Sequence, residues 1–229
     1  DPSTYEHIPP EAVGNARVIP MSNQAGQSNL RARLADAGIE VAPGDARLGR
    51  ILEVVKAREE QGYAYDGAQA SFELMARAEL GLLPRFFEVK RYRVTVERRK
   101  NKYDRMISLS EAVVVVKIGD AKMLSVSESM DETGTDRGPV NALAKALAKD
   151  LGPYQAAIDD LRLVDFKVRI TQGGTEAVTR VIIDSEDSAG RRWSTVGVSA
   201  NIVDASFEAL LDAITWKLIR DGAAPEGVA

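Results

Sequence analysis

An internal duplication constrains the fold of this chain more than any other feature of its sequence. The segments Gly138-Pro139-Val140-Asn141-Ala142-Leu143 and Val198-Ser199-Ala200-Asn201-Ile202-Val203 both have the pattern of a strand end, a short turn and a helix start. Similar apolar runs precede them, beginning at Ser110-Glu111-Ala112-Val113 and at Thr175-Glu176-Ala177-Val178. The offset is 65 residues between the runs and about 63 between the helix starts, which indicates two copies of one unit.

Each copy is predicted to contain three strands followed by a helix. Period-two alternation, β-branched runs and tight turns such as Gly119-Asp120 indicate the strands, and apolar residues at steps of three and four indicate the helices. The predicted strands are 92–96, 112–118 and 123–126 in the first copy and 163–170, 177–183 and 193–198 in the second. Because neither copy buries its sheet face alone, we predict an α+β fold with two βββα copies packed about a pseudo-twofold axis, and a remaining apolar face that takes a second subunit.

The residues before the duplication predict an extended arm and a small helical part. Four prolines interrupt residues 1–28, which excludes a long helix there. Helices are predicted from Ser28 or Asn29 to Gly38, from Asp45 to Gln61 and from Asp66 to Leu80. The predicted domains are therefore an arm at 1–28, a helical linker subdomain at 29–84 and a duplicated domain at 85–229, with copies at 85–152 and 161–220.

Composition and charge argue against several classes of function. The chain has 229 residues, a formal net charge of -4 and no cysteine, which gives no electrostatic case for nucleic acid and no thiol chemistry. The sequence contains no apolar run of the roughly 18 residues that a membrane span requires. We expect a cytoplasmic protein that binds neither nucleic acid nor membrane.

Residues suited to catalysis are sparse. His7 is the single histidine of the sequence, so no histidine pair is present for a metal site. The acidic runs 159–160 and 184–187 are interpreted as solvated turns, and the basic run 98–103 as a solvated hairpin loop. By itself the chain is predicted to be enzymatically inactive.

Binding is the function that the paired helix starts favour. The N-terminus of a helix presents unpaired N–H groups and a positive dipole end, which attract a carboxylate. The two starts, near Asn141 and Ile202, are flanked by aliphatic and aromatic residues, as a small aliphatic amino acid would need. The same residues could equally be core, and the pattern alone leaves both interpretations open.

A series of further motifs runs along the chain. In order, they are Tyr5-Glu6-His7-Ile8, Pro10-Glu11, Val13-Gly14-Asn15, Gly26-Gln27-Ser28-Asn29, Asp66-Gly67-Ala68, Ala70-Ser71-Phe72-Glu73-Leu74, Gly138-Pro139-Val140-Asn141-Ala142-Leu143, Leu163-Val164-Asp165-Phe166-Lys167-Val168-Arg169-Ile170 and Trp193-Ser194-Thr195-Val196-Gly197-Val198-Ser199. In this order the motifs resemble the α-isopropylmalate synthase family. The opening arm and residues 66–74 are most similar to its citramalate synthase branch.

The resemblance implies the role of the chain. Members of the family condense acetyl-CoA with a 2-oxo acid, pyruvate in the citramalate branch, in a TIM barrel whose divalent metal is held by an Asp and two His. Nothing in this sequence resembles that barrel, so we expect a C-terminal fragment with linker subdomains and a regulatory domain, without a cofactor of its own. In the family, that domain is a duplicated βββα unit that forms a homodimer and binds the end-product amino acid, which is isoleucine in the citramalate branch.

The resemblance also implies individual site residues. His7 and Asn15 match residues that support the partner subunit's active site near acetyl-CoA, where His7 would assist acid–base chemistry; Arg17 stands where a tyrosine is expected. Eight positions match the effector pocket: Val140, Asn141, Leu163, Phe166, Ile170, Thr175, Val178 and Ile202. Phe166 replaces a frequent tyrosine. The leading hypothesis is isoleucine bound at the dimer interface; the alternatives are leucine as the effector of an α-isopropylmalate synthase, and a dimerisation module without a ligand.

Overall fold

The computed structural model of the chain describes residues 26–131, 138–172 and 177–226. Within them, three helices are followed by two successive groups of three strands and a helix, which confirms the α+β class and the duplicated βββα order. The elements are α1 Gln27–Asp36, α2 Ala46–Glu60, α3 Gln69–Glu79, β1 Glu88–Lys100, β2 Met106–Ile118, β3 Ala121–Asp131, α4 Gly138–Lys149, α5 Gln155–Ile158, β4 Arg162–Gln172, β5 Val178–Glu186, β6 Arg192–Ser199 and α6 Ile202–Arg220. A 3₁₀ turn, Gly152–Tyr154, precedes α5.

The helices α1 to α3 build a small core of their own. Leu30 of α1, Ile51 of α2 and Phe72 of α3 are among its buried residues, and Val196 of β6 completes it. Apolar residues at helical spacing therefore dock this helical part on the second sheet. The domain boundaries at residues 28 and 84 stay predictions.

The starts of these three helices follow the sequence to different degrees. The predicted start of α2 is confirmed, and Asp45 is its N-cap, because its carboxylate accepts a hydrogen bond from the Arg47 N–H (2.9 Å). In contrast, α1 follows Gly26 without a side-chain cap. Asp66, at which α3 was predicted to begin, does not cap it. Its carboxylate accepts from the N–H of Gly67 (2.9 Å), and the N-cap is Ala68, two residues later.

The strands β1, β2 and β3 form an antiparallel sheet in that order. Ile118 pairs with Ala121 across Gly119-Asp120, which confirms the predicted tight turn. The strands β1 and β2 extend beyond their predicted ends, to Lys100 and back to Met106, so part of the predicted basic loop is strand. Charged side chains are compatible with pairing here because the end of β1 is exposed on both faces.

The strands β4, β5 and β6 form a second antiparallel sheet in the same order. The register shifts twice along the β4–β5 pair, between Leu163 and Asp165 and between Ile170 and Gln172, as β-bulges do. Helix α6 packs on this sheet, and α4 packs on the first. Helix α6 lies tightly against Gly197 of β6, where a Cβ would stand 1.9 Å from the carbonyl oxygen of Ala205.

One apolar core joins the two copies. It combines residues of β2 and α4 with residues of β5 and α6, among them Val114, Leu143, Val181 and Leu210. Each sheet therefore buries one face beneath helices, and the two copies share their interior instead of folding as separate units.

The interpretation of the acidic run 184–187 as a solvated turn is wrong, because residues 184–186 belong to β5 and Asp187 is buried, whereas residues 159–160 do form a turn in which Asp159 is exposed. The Asp187 side chain is fully buried and accepts hydrogen bonds from the N–H groups of Ala189 and Arg191. Lys217, on α6, lies 2.9 Å from both Asp160 and Asp221. The α5–β4 and β5–β6 turns dock on the end of α6, so Asp187 is internal beside Arg191 and Lys217, whereas Asp160 and Asp221 stay partly exposed.

Candidate functional site

Four apolar side chains form an exposed row along β4. The β4 row consists of Leu163, Phe166, Val168 and Ile170, whose exposed fractions are 41%, 38%, 41% and 71%. Phe166 stands opposite Ile183 and Val168 opposite Val181, and both partners on β5 are fully buried. Because directly paired residues share a sheet face, the row lies on the core side of the sheet and yet remains open.

The corresponding strand of the first copy, β1, is covered at Tyr92. Tyr92 of β1 stands opposite Val114, and its ring packs on Phe207 of α6 with a centroid distance of 4.0 Å. The Tyr92 hydroxyl donates to the Asp204 carboxylate. Burial and this hydrogen bond raise the pKa of Tyr92 to about 12, so the hydroxyl remains a donor at neutral pH. Helix α6 thus covers Tyr92 of β1, whereas the described residues leave the β4 row exposed.

The two helix starts supply polar groups. Asn141 lies in α4, and its buried side-chain Nδ2 has no hydrogen-bond partner among the described residues. A buried amide without a partner costs free energy, which a ligand acceptor would recover. Val140, beside it, packs against the shared core. At the second start, Asn201 caps α6 by accepting from the Val203 N–H (2.9 Å), and Ile202 is exposed.

The structure brings together some of the predicted site residues and separates others. Leu163, Phe166 and Ile170 share the β4 row. Val168, which is not among the eight predicted positions, also belongs to it, because it alternates with Phe166 and Ile170. Val178 begins β5, and alternation places it on the opposite face from Val181. Thr175, His7 and Asn15 lie outside the described residues.

A single copy of the chain does not enclose the β4 row. Clefts of about 750 and 760 Å³ exist, but they lie around Phe87 and around Lys145 and are lined by other residues. The open row and the unpaired Asn141 amide could together offer aliphatic walls and a donor for a carboxylate. Such a pocket would close only when something covers β4.

The described residues offer little for other kinds of site. They contain no group of three or more His, Asp or Glu side chains that could hold a metal ion. Within the same ranges, no helix is long and apolar enough to cross a membrane.

Comparison with known proteins adds a family and several relatives. The family model described as the LeuA allosteric (dimerisation) domain matches residues 66–218. The (R)-citramalate synthase of Aquifex aeolicus is 40% identical over 221 residues, which cover 95% of this chain and 40% of that protein. The (R)-citramalate synthase of Geobacter sulfurreducens is 41% identical over 219 residues, or 95% of this chain and 39% of that protein.

A more distant relative carries a different name. The 2-isopropylmalate synthase of Methanocaldococcus jannaschii is 29% identical over 222 residues, which cover 95% of this chain and 38% of that protein. The chain thus spans about 40% of the length of the curated relatives that it matches. The higher identity to the citramalate synthases agrees with the branch indicated by the arm and by residues 66–74.

Proposed function

Since this chain belongs to the LeuA allosteric (dimerisation) domain family, we propose that it is the C-terminal regulatory part of an (R)-citramalate synthase and binds isoleucine as a feedback inhibitor. Isoleucine occupies a pocket that forms when two chains associate through their β4 rows. The whole enzyme condenses acetyl-CoA with pyruvate in a separate barrel, and the divalent metal belongs to that barrel. The cytoplasmic location predicted from the sequence is part of the same proposal.

The observation that carries this proposal is the difference between the two copies of the repeat. Tyr92 is covered by Phe207, whereas Phe166 and Ile170 on the equivalent row are left exposed. Large exposed apolar rows mark interaction sites in proteins. A second chain, related to the first by a twofold axis, would cover the β4 rows of both chains at once, in agreement with a dimerisation family.

The chemistry of the row suits a branched aliphatic side chain. Phe166, Val168 and Ile170 present no charge and no hydrogen-bonding group, so they favour an apolar ligand side chain. Burying the side chain of isoleucine contributes about 2 kcal/mol. The Asn141 Nδ2 and the start of α4 would receive the ligand carboxylate.

In the whole enzyme, His7 and Asn15 would serve the partner subunit's active site. Both residues precede the described part of the chain, so this role rests on the motifs that surround them. His7 would orient groups around the thioester of acetyl-CoA and exchange a proton during enolate formation. This chain, with 229 residues and a single histidine, would not catalyse the condensation alone.

Calorimetric titration of the chain with isoleucine, leucine and valine tests the proposal. We expect isoleucine to bind most tightly. Phe166→Ala should weaken that binding by about tenfold, because it removes part of an apolar wall. A matched variant, Val96→Ala, trims an exposed apolar residue of β1 and should leave the affinity unchanged.

Other outcomes would assign the chain differently. Preference for leucine would place it in the α-isopropylmalate synthase branch. If a folded dimer gave no heat with any of the three amino acids, the proposal would be wrong, and the dimerisation module without a ligand would be the remaining interpretation.

A further inference from the structure

The connection between α2 and α3 touches the second sheet beside the proposed effector site. The α2–α3 turn, residues 61–68, contains Gly62 with a φ of +110°. A Cβ at Gly62 would stand 2.8 Å from the Thr171 Oγ1 and 3.4 Å from a methyl group of Val198. Thr171 follows Ile170 of the β4 row, and its hydroxyl donates to the carbonyl oxygen of Val178 (3.1 Å). Ile170 of the proposed pocket is thus the chain neighbour of the residue that the turn packs against.

Arg180 fastens the α2–α3 turn to the sheet. Its Nε donates to the carbonyl oxygen of Gly62, and its second terminal nitrogen lies 3.5 Å from the carbonyl oxygen of Tyr63. Arg180 lies on β5, two residues after Val178, and it shares the sheet face of Val178 by alternation. Hydrogen bonds from a charged donor to carbonyl oxygens in a partly buried site are among the stronger kinds.

A second anchor holds the same turn from α6. The Tyr63 hydroxyl donates to Glu208 (2.6 Å), and the other carboxylate oxygen of Glu208 accepts from the Val198 N–H (2.9 Å). Burial, with the bond to Glu208, raises the pKa of Tyr63 beyond its ordinary range and keeps the hydroxyl protonated. The turn is therefore held to β5 by Arg180 and to α6 by Glu208, so displacement of either element is passed to it.

From these contacts we propose that Arg180 is a positioning residue that transmits occupancy of the effector pocket to the α2–α3 turn and the helical part. This inference rests on the proposed function. A ligand packed on Ile170 favours one arrangement of the β4–β5 pair, and Arg180, on the opposite face of the same pair, carries that preference to Gly62 and Tyr63. The helical part is the region that connects the duplicated domain to the arm at residues 1–28.

Hydrogen–deuterium exchange on the 229-residue chain, with and without saturating isoleucine, tests the inference. In the wild type, isoleucine should slow amide exchange both in β4 and β5 and in residues 61–68. In Arg180→Gln, the slowing in β4 and β5 should persist, whereas the ligand-dependent slowing in residues 61–68 should be lost. Arg169→Gln is the matched control, because Arg169 pairs directly opposite Arg180 on β4, and it should behave as the wild type.

A second pair of variants tests the packing of the α2–α3 turn on the sheet without changing charge. Gly62→Ala places a Cβ against Thr171 and should also abolish the ligand-dependent slowing in residues 61–68. Gly67→Ala lies in the same turn, where a Cβ would meet no atom within 4 Å, and should preserve it.

The outcomes separate this inference from the proposed function. If isoleucine binds but residues 61–68 do not respond in the wild type, the inference is wrong and the proposed function stands. The inference is also wrong if Arg180→Gln retains the full response. If calorimetry shows no binding of isoleucine, leucine or valine, both the proposed function and the inference fail.

Discussion

The Ser71 hydroxyl donates to the Asp212 carboxylate across 2.5 Å and thereby ties α3 to the middle of α6. The same Ser71 oxygen accepts from the N–H of Val196, at the free edge of β6 (2.9 Å). Asp212 is one member of a polar stripe on α6, in which residues four positions apart face the helical part: Glu208, Asp212, Trp216 and Arg220. This stripe joins the helical part to the second sheet.

The position of Asp212 predicts a specific pH dependence of stability. Burial raises the pKa of Asp212 to about 7, while the Ser71 hydrogen bond and Arg58 act to lower it and Glu208 acts to raise it. Because this pKa is above the unfolded value of about 3.9, the folded state binds the proton more tightly. The free energy of unfolding should therefore fall as the pH rises from about 4 to about 7 and then level off.

Comparison with Asp212→Asn isolates this contribution. Between pH 5 and pH 8, the wild type should lose about 2 kcal/mol of stability relative to the variant, measured by urea unfolding. The pKa values of Asp160 and Asp187 are lowered by their basic partners and hydrogen bonds, so these groups titrate outside this window. Parallel pH profiles for the two proteins would contradict the prediction.

The buried cation at the end of α6 should be important for folding. The Lys217 side chain is 3% exposed and contacts Asp160 and Asp221 at 2.9 Å. Lys217→Met leaves these carboxylates without that cation, so we expect a loss of about 3 to 5 kcal/mol in the free energy of unfolding. The control Arg192→Gln removes an exposed partner of Glu186 and should cost less than about 1 kcal/mol. Equal losses of unfolding free energy in Lys217→Met and Arg192→Gln would contradict the prediction that the buried cation matters more than the exposed one.

Two Gly→Ala substitutions should have opposite effects. At Gly197, the new methyl group would collide with the backbone of Ala205, so Gly197→Ala should destabilise the chain by about 3 kcal/mol or more. At Gly49, inside α2, a Cβ meets no atom within 4 Å, so Gly49→Ala should stabilise it by about 0.5 to 1 kcal/mol. Thermal unfolding of both variants checks this, and a tolerated Gly197→Ala would mean that α6 can move away from β6.

Self-association should depend on the β4 row and not on exposed apolar residues in general. Ile170→Ser should weaken dimerisation by about tenfold, which is about 1.4 kcal/mol, because Ile170 is exposed in the single chain and covered in the proposed dimer. Leu124→Ser is the matched control, since Leu124 is similarly exposed on β3 of the first sheet. Sedimentation equilibrium measures both. Weaker association only in the Leu124 variant would place the interface on the other sheet.

The sequence predicted the order of elements better than their ends. Alternation at Tyr92 and Val94 and the helical spacing from Val203 to Leu218 report burial directly, so strands and helices were identified correctly. The ends of β1 and β2 were missed because their charged residues pair in an exposed ladder. The buried Asp187 was missed because its burial depends on the docking of the β5–β6 turn on α6, where Lys217, 30 residues away along the chain, joins the local partner Arg191.

The site was predictable only in part for a related reason. Residues such as Phe166 and Ile170 could be identified as one strand pattern, but a pattern does not distinguish a core row from an exposed one. That distinction depends on whether a helix covers the strand, as Phe207 covers Tyr92 and no described residue covers Ile170 to a similar extent. The contact between Arg180 and Gly62 joins residues 118 positions apart and leaves no local signal.

The decisive experiment is a crystal structure of the chain grown with isoleucine. We expect a twofold dimer with isoleucine between the β4 rows of the two chains. Its side chain should lie against Phe166 and Ile170, and its carboxylate within hydrogen-bonding distance of the Asn141 amide. Isoleucine bound elsewhere, or a dimer that leaves the β4 row exposed to solvent, would contradict the proposal.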